Sequence, residues 1–153
     1  FLHDELSCSV LIIDATFRNK GLTKLLGLEK RPGIIDVLVP GDNSKPDFAS
    51  VTHDLKGNIS FIAAGVVQQQ RVPYVSEEQV QAFIDEFKAQ YDFVILQQDE
   101  IQIDTRYLPY AKSADLVLLH LEERSTAIES FDEKMDIFKN HNITNVKYIL
   151  SEE

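Results

Sequence analysis

The chain has 153 residues, 44% hydrophobic and 26% charged, with six Gly, five Pro and a single Cys. That suits one globular domain, excludes a collagen-like or low-complexity chain, and lets a domain of this length bury roughly 70% of its unfolded surface without a metal or disulfide staple. Its 25 acidic against 15 basic side chains give a formal charge of −10, which argues against a broad nucleic-acid or anionic-membrane footprint while leaving room for a local basic patch.

The first six residues, Phe1-Leu2-His3-Asp4-Glu5-Leu6, read as the tail of a helix running directly into a strand. A chain that opens mid-helix is expected to be part of a longer polypeptide. Val10-Leu11-Ile12-Ile13 is the first of five short apolar runs. A short helix over residues 22–26 follows, stopped by Gly27. Residues 39–47, with a Pro-Gly-Asp-Asn-Ser-Lys-Pro string, read as the flexible stretch. Ile59-Ser60-Phe61-Ile62-Ala63 is the second run. Ser76-Glu77-Glu78-Gln79 is a capping box, the Ser oxygen meeting a free N–H and the Gln reaching back. Val80, Phe83, Ile84 and Phe87 then recur at helical spacing, with Asp85, Glu86 and Lys88 off that stripe.

Phe93-Val94-Ile95-Leu96 is the third run, and a helix is expected from about Asp104 to Lys112. Leu116-Val117-Leu118-Leu119 is the fourth. The last long helix starts near Ser125 or Thr126, carries the stripe Ile128, Phe131, Met135 and Phe138, and ends at Asn140-His141-Asn142. Val146-Lys147-Tyr148-Ile149-Leu150 closes the series. Most runs are continuous rather than alternating, as in strands covered on both faces of a parallel sheet. Strand–helix alternation implies right-handed crossovers and a doubly wound, mainly parallel α/β sheet with helices on both faces. Ligands of such sheets sit at the carboxyl ends of the strands, here residues 14–21, 64–74, 97–104 and 122–126.

Within those loops, Asp14 at a strand end is the first site candidate, against the alternative of a carboxylate capping its own turn. Arg18 could hold a phosphate or reach a neighbouring subunit, or be a surface ion-pair group. Asp99 and Glu100 could be a metal pair or solvated loop charges. Asp104 and Thr126 read as helix caps. Gln68-Gln69-Gln70-Arg71 is either a recognition loop or a solvated connector. Cys8 has no His near it in sequence to make it a nucleophile, and it fits a reducing compartment. The four His have no metal spacing, and His120 reads as a strand residue. No run is long enough to span a bilayer.

Val10-Leu11-Ile12-Ile13-Asp14-Ala15-Thr16-Phe17-Arg18, followed by Leu22, Leu25, Gly27 and Leu28 and then Gly33-Ile34-Ile35-Asp36-Val37-Leu38, resembles the bacterial tyrosine kinases of capsule and exopolysaccharide export, P-loop proteins akin to the MinD/ParA ATPases. In that family an apolar strand leads into an Asp-x-Asp-x-Arg signature, then Leu-x-x-Leu-x-Gly-Leu and Gly-Leu-x-Asp-Val-Leu. Further on, Ile62-Ala63-Ala64-Gly65 resembles the strand ending in Pro-Ala-Gly. Phe83-Ile84-Asp85-Glu86-Phe87 with Tyr91-Asp92-Phe93-Val94-Ile95 resembles the helix and strand leading to the Walker B carboxylate. Ala114-Asp115-Leu116-Val117-Leu118-Leu119 and Arg124-Ser125-Thr126 resemble the next strand and helix start.

The resemblance implies one P-loop-type α/β domain over residues 1–153, a fragment of a longer polypeptide and incomplete at its N-terminal side. It also implies where the chemistry would sit. Asp14 and Arg18 are the catalytic candidates, and Asp14, Thr16, Gln97 and Ser151 occupy nucleotide and Mg²⁺ positions. At three of these the chain departs from the family. Thr16 stands where the second Asp belongs, Gln97 where the Walker B carboxylate belongs, and Ser151 where an adenine-reading Asn belongs. The P-loop and the C-terminal tyrosine cluster are not in this sequence.

The reading that follows is a regulatory or scaffolding tyrosine-kinase-like domain of exopolysaccharide or capsule biosynthesis, at the inner face of the membrane. Its expected partners are a membrane polysaccharide co-polymerase or export component and copies of itself, with no nucleic acid and no certain metal. The alternatives are an ATP- and Mg²⁺-dependent tyrosine kinase or ATPase whose P-loop lies upstream, and a MinD/ParA-like positioning ATPase.

Overall fold

Each of the five apolar runs forms a strand: β1 (Val10–Ala15), β3 (Ile59–Ile62), β4 (Phe93–Gln98), β5 (Val117–Glu122) and β6 (Val146–Ser151). A short strand the sequence did not announce, β2 (Thr52–Asp54), precedes β3. The structure, a computed structural model, describes residues 7–39, 47–66, 74–99, 105–122 and 128–151. The chain divides into two compact units, residues 1–99 and 100–153.

In the first unit the sheet order is β2-β3-β1-β4. β1 is parallel to β3 on one side and to β4 on the other, while β2 closes onto β3 as an antiparallel partner. β1 is therefore central, and Val10, Leu11, Ile13, Asp14 and Ala15 are all buried. Side chains alternate between faces, so burial at successive positions means that β1 is covered on both. Its register against β4 runs from Val10↔Phe93 to Ala15↔Gln98 and aligns Asp14 with Gln97. A clasp holds the start of that register. The Asp92 carboxylate accepts from the Ser9 backbone N–H and hydroxyl, both at 2.8 Å, and the N–H groups of Asp92 and Phe93 donate to the Ser9 carbonyl at 3.1 Å.

The helices of this unit are α1 (Gly21–Leu25), α2 (Ile34–Leu38) and α3 (Glu77–Lys88). α3 starts at the expected capping box. The Gln79 N–H donates to the Ser76 hydroxyl at 3.3 Å, and the Ser76 N–H donates to the Gln79 side-chain oxygen at 2.9 Å. Val80, Phe83, Ile84 and Phe87 are all buried, each contributing about 1.5–3 kcal/mol as its apolar area leaves water. Phe83 and Phe87 meet edge to face at 5.2 Å, and Phe48 joins them at 5.8 Å from Phe83. α1 ends in a Schellman turn: Gly27 takes φ +69°, its N–H donates to Lys24, and the Leu28 N–H reaches back to Thr23. Gly supplies that left-handed position without a Cβ penalty. α2 was not anticipated as a helix; it is one turn long, too short to show a period.

In the second unit β5 and β6 pair in parallel from Val117↔Val146 to Glu122↔Ser151. The helix expected over residues 104–112 is instead a 3₁₀ turn (Thr105–Tyr107) followed by α4 (Leu108–Lys112), with Pro109 in its first turn, where a missing N–H costs nothing. Asp104 lies outside the described residues. Tyr107 and Tyr110 are buried, and burial pushes the Tyr110 phenol above its ordinary pKa. α5 (Ile128–Asn140) ends as the sequence indicates. Asn142 takes φ +59°, its N–H donates to Lys139, and the Ile143 N–H donates to Phe138. Phe138 is buried there, Phe131 and Met135 partly so, and Phe131 meets Tyr148 of β6 edge to face at 5.9 Å. The start of this helix at Ser125 or Thr126 lies outside the described residues. Among the described residues no helix is long and apolar enough to cross a membrane.

Candidate functional site

The parallel sheet of the first unit brings the carboxyl ends of β1, β3 and β4 side by side, and Asp14 is the group around which they are joined. Asp14 is 0% exposed. One carboxylate oxygen accepts from the Thr16 N–H at 2.9 Å and from the Thr16 hydroxyl; the other accepts from the Thr23 N–H at 2.8 Å and the Thr23 hydroxyl at 2.7 Å. An ionised carboxylate offers about four acceptor directions, and here each has a donor.

Both hydroxyls pass the connection on. Thr16 accepts from the Gly21 N–H at 3.3 Å, and Thr23 accepts from the Ala64 N–H at 2.9 Å. Asp14 thus ties its own loop to α1 and, through Thr23, to the residues after β3. A local sequence pattern does not reveal Thr23: it lies nine residues from Asp14, and only the fold of the loop makes them neighbours.

Two more links close the same region. The Lys20 ammonium donates to the Gly65 carbonyl at 2.8 Å. The Asp36 carboxylate accepts from the Gly33 N–H at 2.8 Å and from the Val66 N–H at 3.3 Å. The N–H groups of Ile34 and Ile35 donate to the carbonyls of Ala63 and Ala64 at 2.9 and 3.4 Å, so α2 is joined directly to the strand end. That approach requires Gly33, where a Cβ would strike the Ala63 carbonyl, and Gly65, at φ +88°, where a Cβ would strike Asp36.

At the end of β4, Gln97 is exposed, beside Asp14 in register. Asp99 accepts from the Arg18 N–H at 3.3 Å, which draws the β1 and β4 loops together. Arg18 is exposed and Thr16 is buried. Ser151 lies in the second unit at the end of β6, its hydroxyl 2.9 Å from a ring nitrogen of His120 on β5. Asp14, Thr16, Arg18, Gln97 and Asp99 therefore form one cluster; Ser151 belongs to the other unit.

The family resemblance implies a nucleotide with Mg²⁺, and the described strand ends can be tested against it. Mg²⁺ takes hard oxygen ligands in near-octahedral geometry, usually one or two carboxylates plus phosphate oxygens and water. The Asp14 carboxylate has all its acceptor directions engaged by the chain itself, and Gln97 offers a neutral amide. This arrangement does not fit such an ion. Among the described residues, no group of three or more His, Cys, Asp or Glu could hold a metal.

No protein-family model matches the chain. Among curated proteins it is 30% identical over 119 residues to "Putative tyrosine-protein kinase EpsB" of Ralstonia nicotianae, a match covering 76% of this chain and 15% of that one. The chain thus spans well under a quarter of the length of the curated relatives it matches. Among solved structures, the kinase domain of the Escherichia coli tyrosine kinase ETK superposes with a TM-score of 0.80 at 18% identity, covering 97% of this chain and 57% of that one. The Aquifex aeolicus MinC:MinD cell division protein complex superposes with 0.73 at 22% identity, covering 95% and 57%. The expected α/β class and the P-loop-type fold both hold. By sequence the chain is similar to a bacterial protein described as a putative tyrosine-protein kinase, and it carries the P-loop-type fold shared by the kinase domain of ETK and by MinD.

Proposed function

We propose that this domain is a regulatory or scaffolding component of exopolysaccharide or capsule biosynthesis, and that it works by docking rather than by phosphoryl transfer. The observation that carries the reading is the closed state of Asp14, which accepts four hydrogen bonds from Thr16 and Thr23. Phosphoryl transfer depends on metal ions and positioned charges that neutralise the reacting phosphates. Here the acidic group at the end of β1 is spent on the fold, and its register partner is Gln97. The scaffold around them is retained: the parallel strands, the capped helices and the Gly33–Gly65 approach. In this reading the domain sits at the inner face of the membrane through a co-polymerase or export component, or through another part of its parent chain.

A second reading is supported by the identity to a protein described as a tyrosine-protein kinase. In it the parent supplies a P-loop upstream, Asp14 acts near Mg²⁺ and the attacking hydroxyl, and Arg18 acts near phosphate. Asp14 would first have to exchange its threonine donors for a metal. The MinD-like positioning ATPase rests on fold likeness alone. Incubation of the full-length parent protein with Mg²⁺·ATP, followed by mass spectrometry for phosphotyrosine and an assay for released phosphate, separates the readings. The scaffold reading expects neither product, and phosphotyrosine on the chain or ATP turnover above background overturns it.

A further inference from the structure

We propose that residues 18–31, the loop and turn around α1, form a contact surface for an anionic lipid bilayer. This segment holds Arg18, Lys20, Lys24, Lys30 and Arg31 against Glu29 alone. It is a patch of +4 in a chain of −10, so the other 139 residues carry −14. A third of the chain's basic side chains lie in 14 residues. Lys20 is the inner member, bonded to the Gly65 carbonyl at 2.8 Å. Arg18, Lys24, Lys30 and Arg31 are exposed.

The same segment carries apolar side chains outward. Leu25 is 80% and Leu26 39% exposed. They stand at the end of a helix fixed by its Schellman turn and by the Asp14–Thr23 bonds at 2.7 and 2.8 Å. The protruding leucines are thus presented on a turn held to the core. Leucines among lysines and arginines are the composition of an interfacial anchor, in which the apolar tips enter the headgroup–acyl boundary and the cations meet lipid phosphates. Each cation near an anionic leaflet adds to the attraction, and the effect fades within a Debye length, about 8 Å at physiological salt.

A lipid surface fits this patch better than a protein partner. Protein–protein hot spots are built around Tyr, Trp and Arg in well-packed pockets; residues 18–31 contain no aromatic side chain, and their two arginines, Arg18 and Arg31, are exposed. The bulk charge of −10 opposes a broad membrane footprint and confines the contact to this basic turn. The surface does not depend on whether the strand-end site is catalytic.

Co-sedimentation of the full chain with vesicles tests it, using equal parts phosphatidylglycerol and phosphatidylethanolamine in low salt against phosphatidylcholine alone. Binding is expected to the anionic vesicles, weakening as salt rises. Lys30→Glu should weaken it at least about fivefold, and Leu25→Ser about tenfold, since the leucine no longer leaves water. Both positions are exposed, and circular dichroism checks that the fold is kept. Nucleotide and phosphotyrosine assays should be unmoved by either substitution, so failure here is separable from failure of the scaffold reading. Absence of binding in low salt, equal binding to neutral vesicles, or variants that bind like the parent chain would each overturn the proposal. Variants that change the sedimentation coefficient of the protein alone, with no vesicle binding, would do so as well and would assign the turn to a contact between copies.

Discussion

β1 and β4 are neighbouring parallel strands with equally apolar sequences, Val-Leu-Ile-Ile against Phe-Val-Ile-Leu, and they end differently. β1 is central and buried on both faces. β4 ends the sheet among the described strands, and alternate side chains are half in water, Phe93 at 44% and Ile95 at 45% exposed. The polar groups at their ends differ in the same sense. Asp14 on β1 is a buried carboxylate closed in by its own chain; Gln97 on β4 is an exposed amide. The scaffold reading proposed above rests on this difference: the carboxylate at the end of β1 is engaged by the fold, and the exposed residue beside it is an amide.

The substitution expected to disturb this arrangement most is Asp14→Ala. It leaves the buried N–H groups of Thr16 and Thr23 without their acceptor and should cost about 4 kcal/mol, read from urea unfolding. A carboxylate held ready for a ligand behaves oppositely, and a gain in stability on its removal would sink the clasp. Thr23→Val tests the connection to β3 alone. It keeps the shape, removes the hydroxyl and unpairs the Ala64 N–H, so a loss of about 1–2 kcal/mol is expected in the same measurement. Gln97→Ala probes the open strand end without adding a charge beside Asp14. As an exposed position it should shift stability by no more than about 0.5 kcal/mol, and a loss well beyond that would mean that Gln97 is built into a packed site.

The smallest effect concerns the other end of the strand pair. The Ser9 backbone N–H, and then its hydroxyl, hold Asp92 below the ordinary aspartate pKa. A depressed carboxylate contributes stability that is present above its unfolded pKa and is lost as pH falls through the folded value. Ser9→Ala removes only the hydroxyl. The Asp92 titration, followed by NMR, should then move up part of the way, with no change in stability near neutrality beyond that of the lost hydrogen bond. An unmoved titration would show that the backbone N–H does all the work.

The strands were legible because each is a short continuous apolar run, and α3 because its cap and its stripe are both local. Both helix ends marked by Gly27 and Asn142 could be read for the same reason: one residue supplies the left-handed turn. β2 and α2 escaped because three and five residues do not display a period. Pro109 redirected the helix after residue 104 into two pieces. At the site, the residues themselves stood out as strand-end polar groups, while the alignment of Asp14 with Gln97 emerges only from the register of β1 with β4. The state of Asp14 did not show in the sequence, because it depends on Thr23 and Ala64, nine and fifty residues away, whose meeting is a property of the folded loops.

The most direct test of this account is titration calorimetry of Mg²⁺·ATP into the 153-residue chain. With Asp14 saturated by its own loop and Gln97 neutral, the account predicts no saturable binding tighter than the millimolar range. A micromolar or tighter Kd that disappears when Mg²⁺ is withheld would contradict it, because a metal-dependent site of that affinity needs a carboxylate that the folded loops leave free.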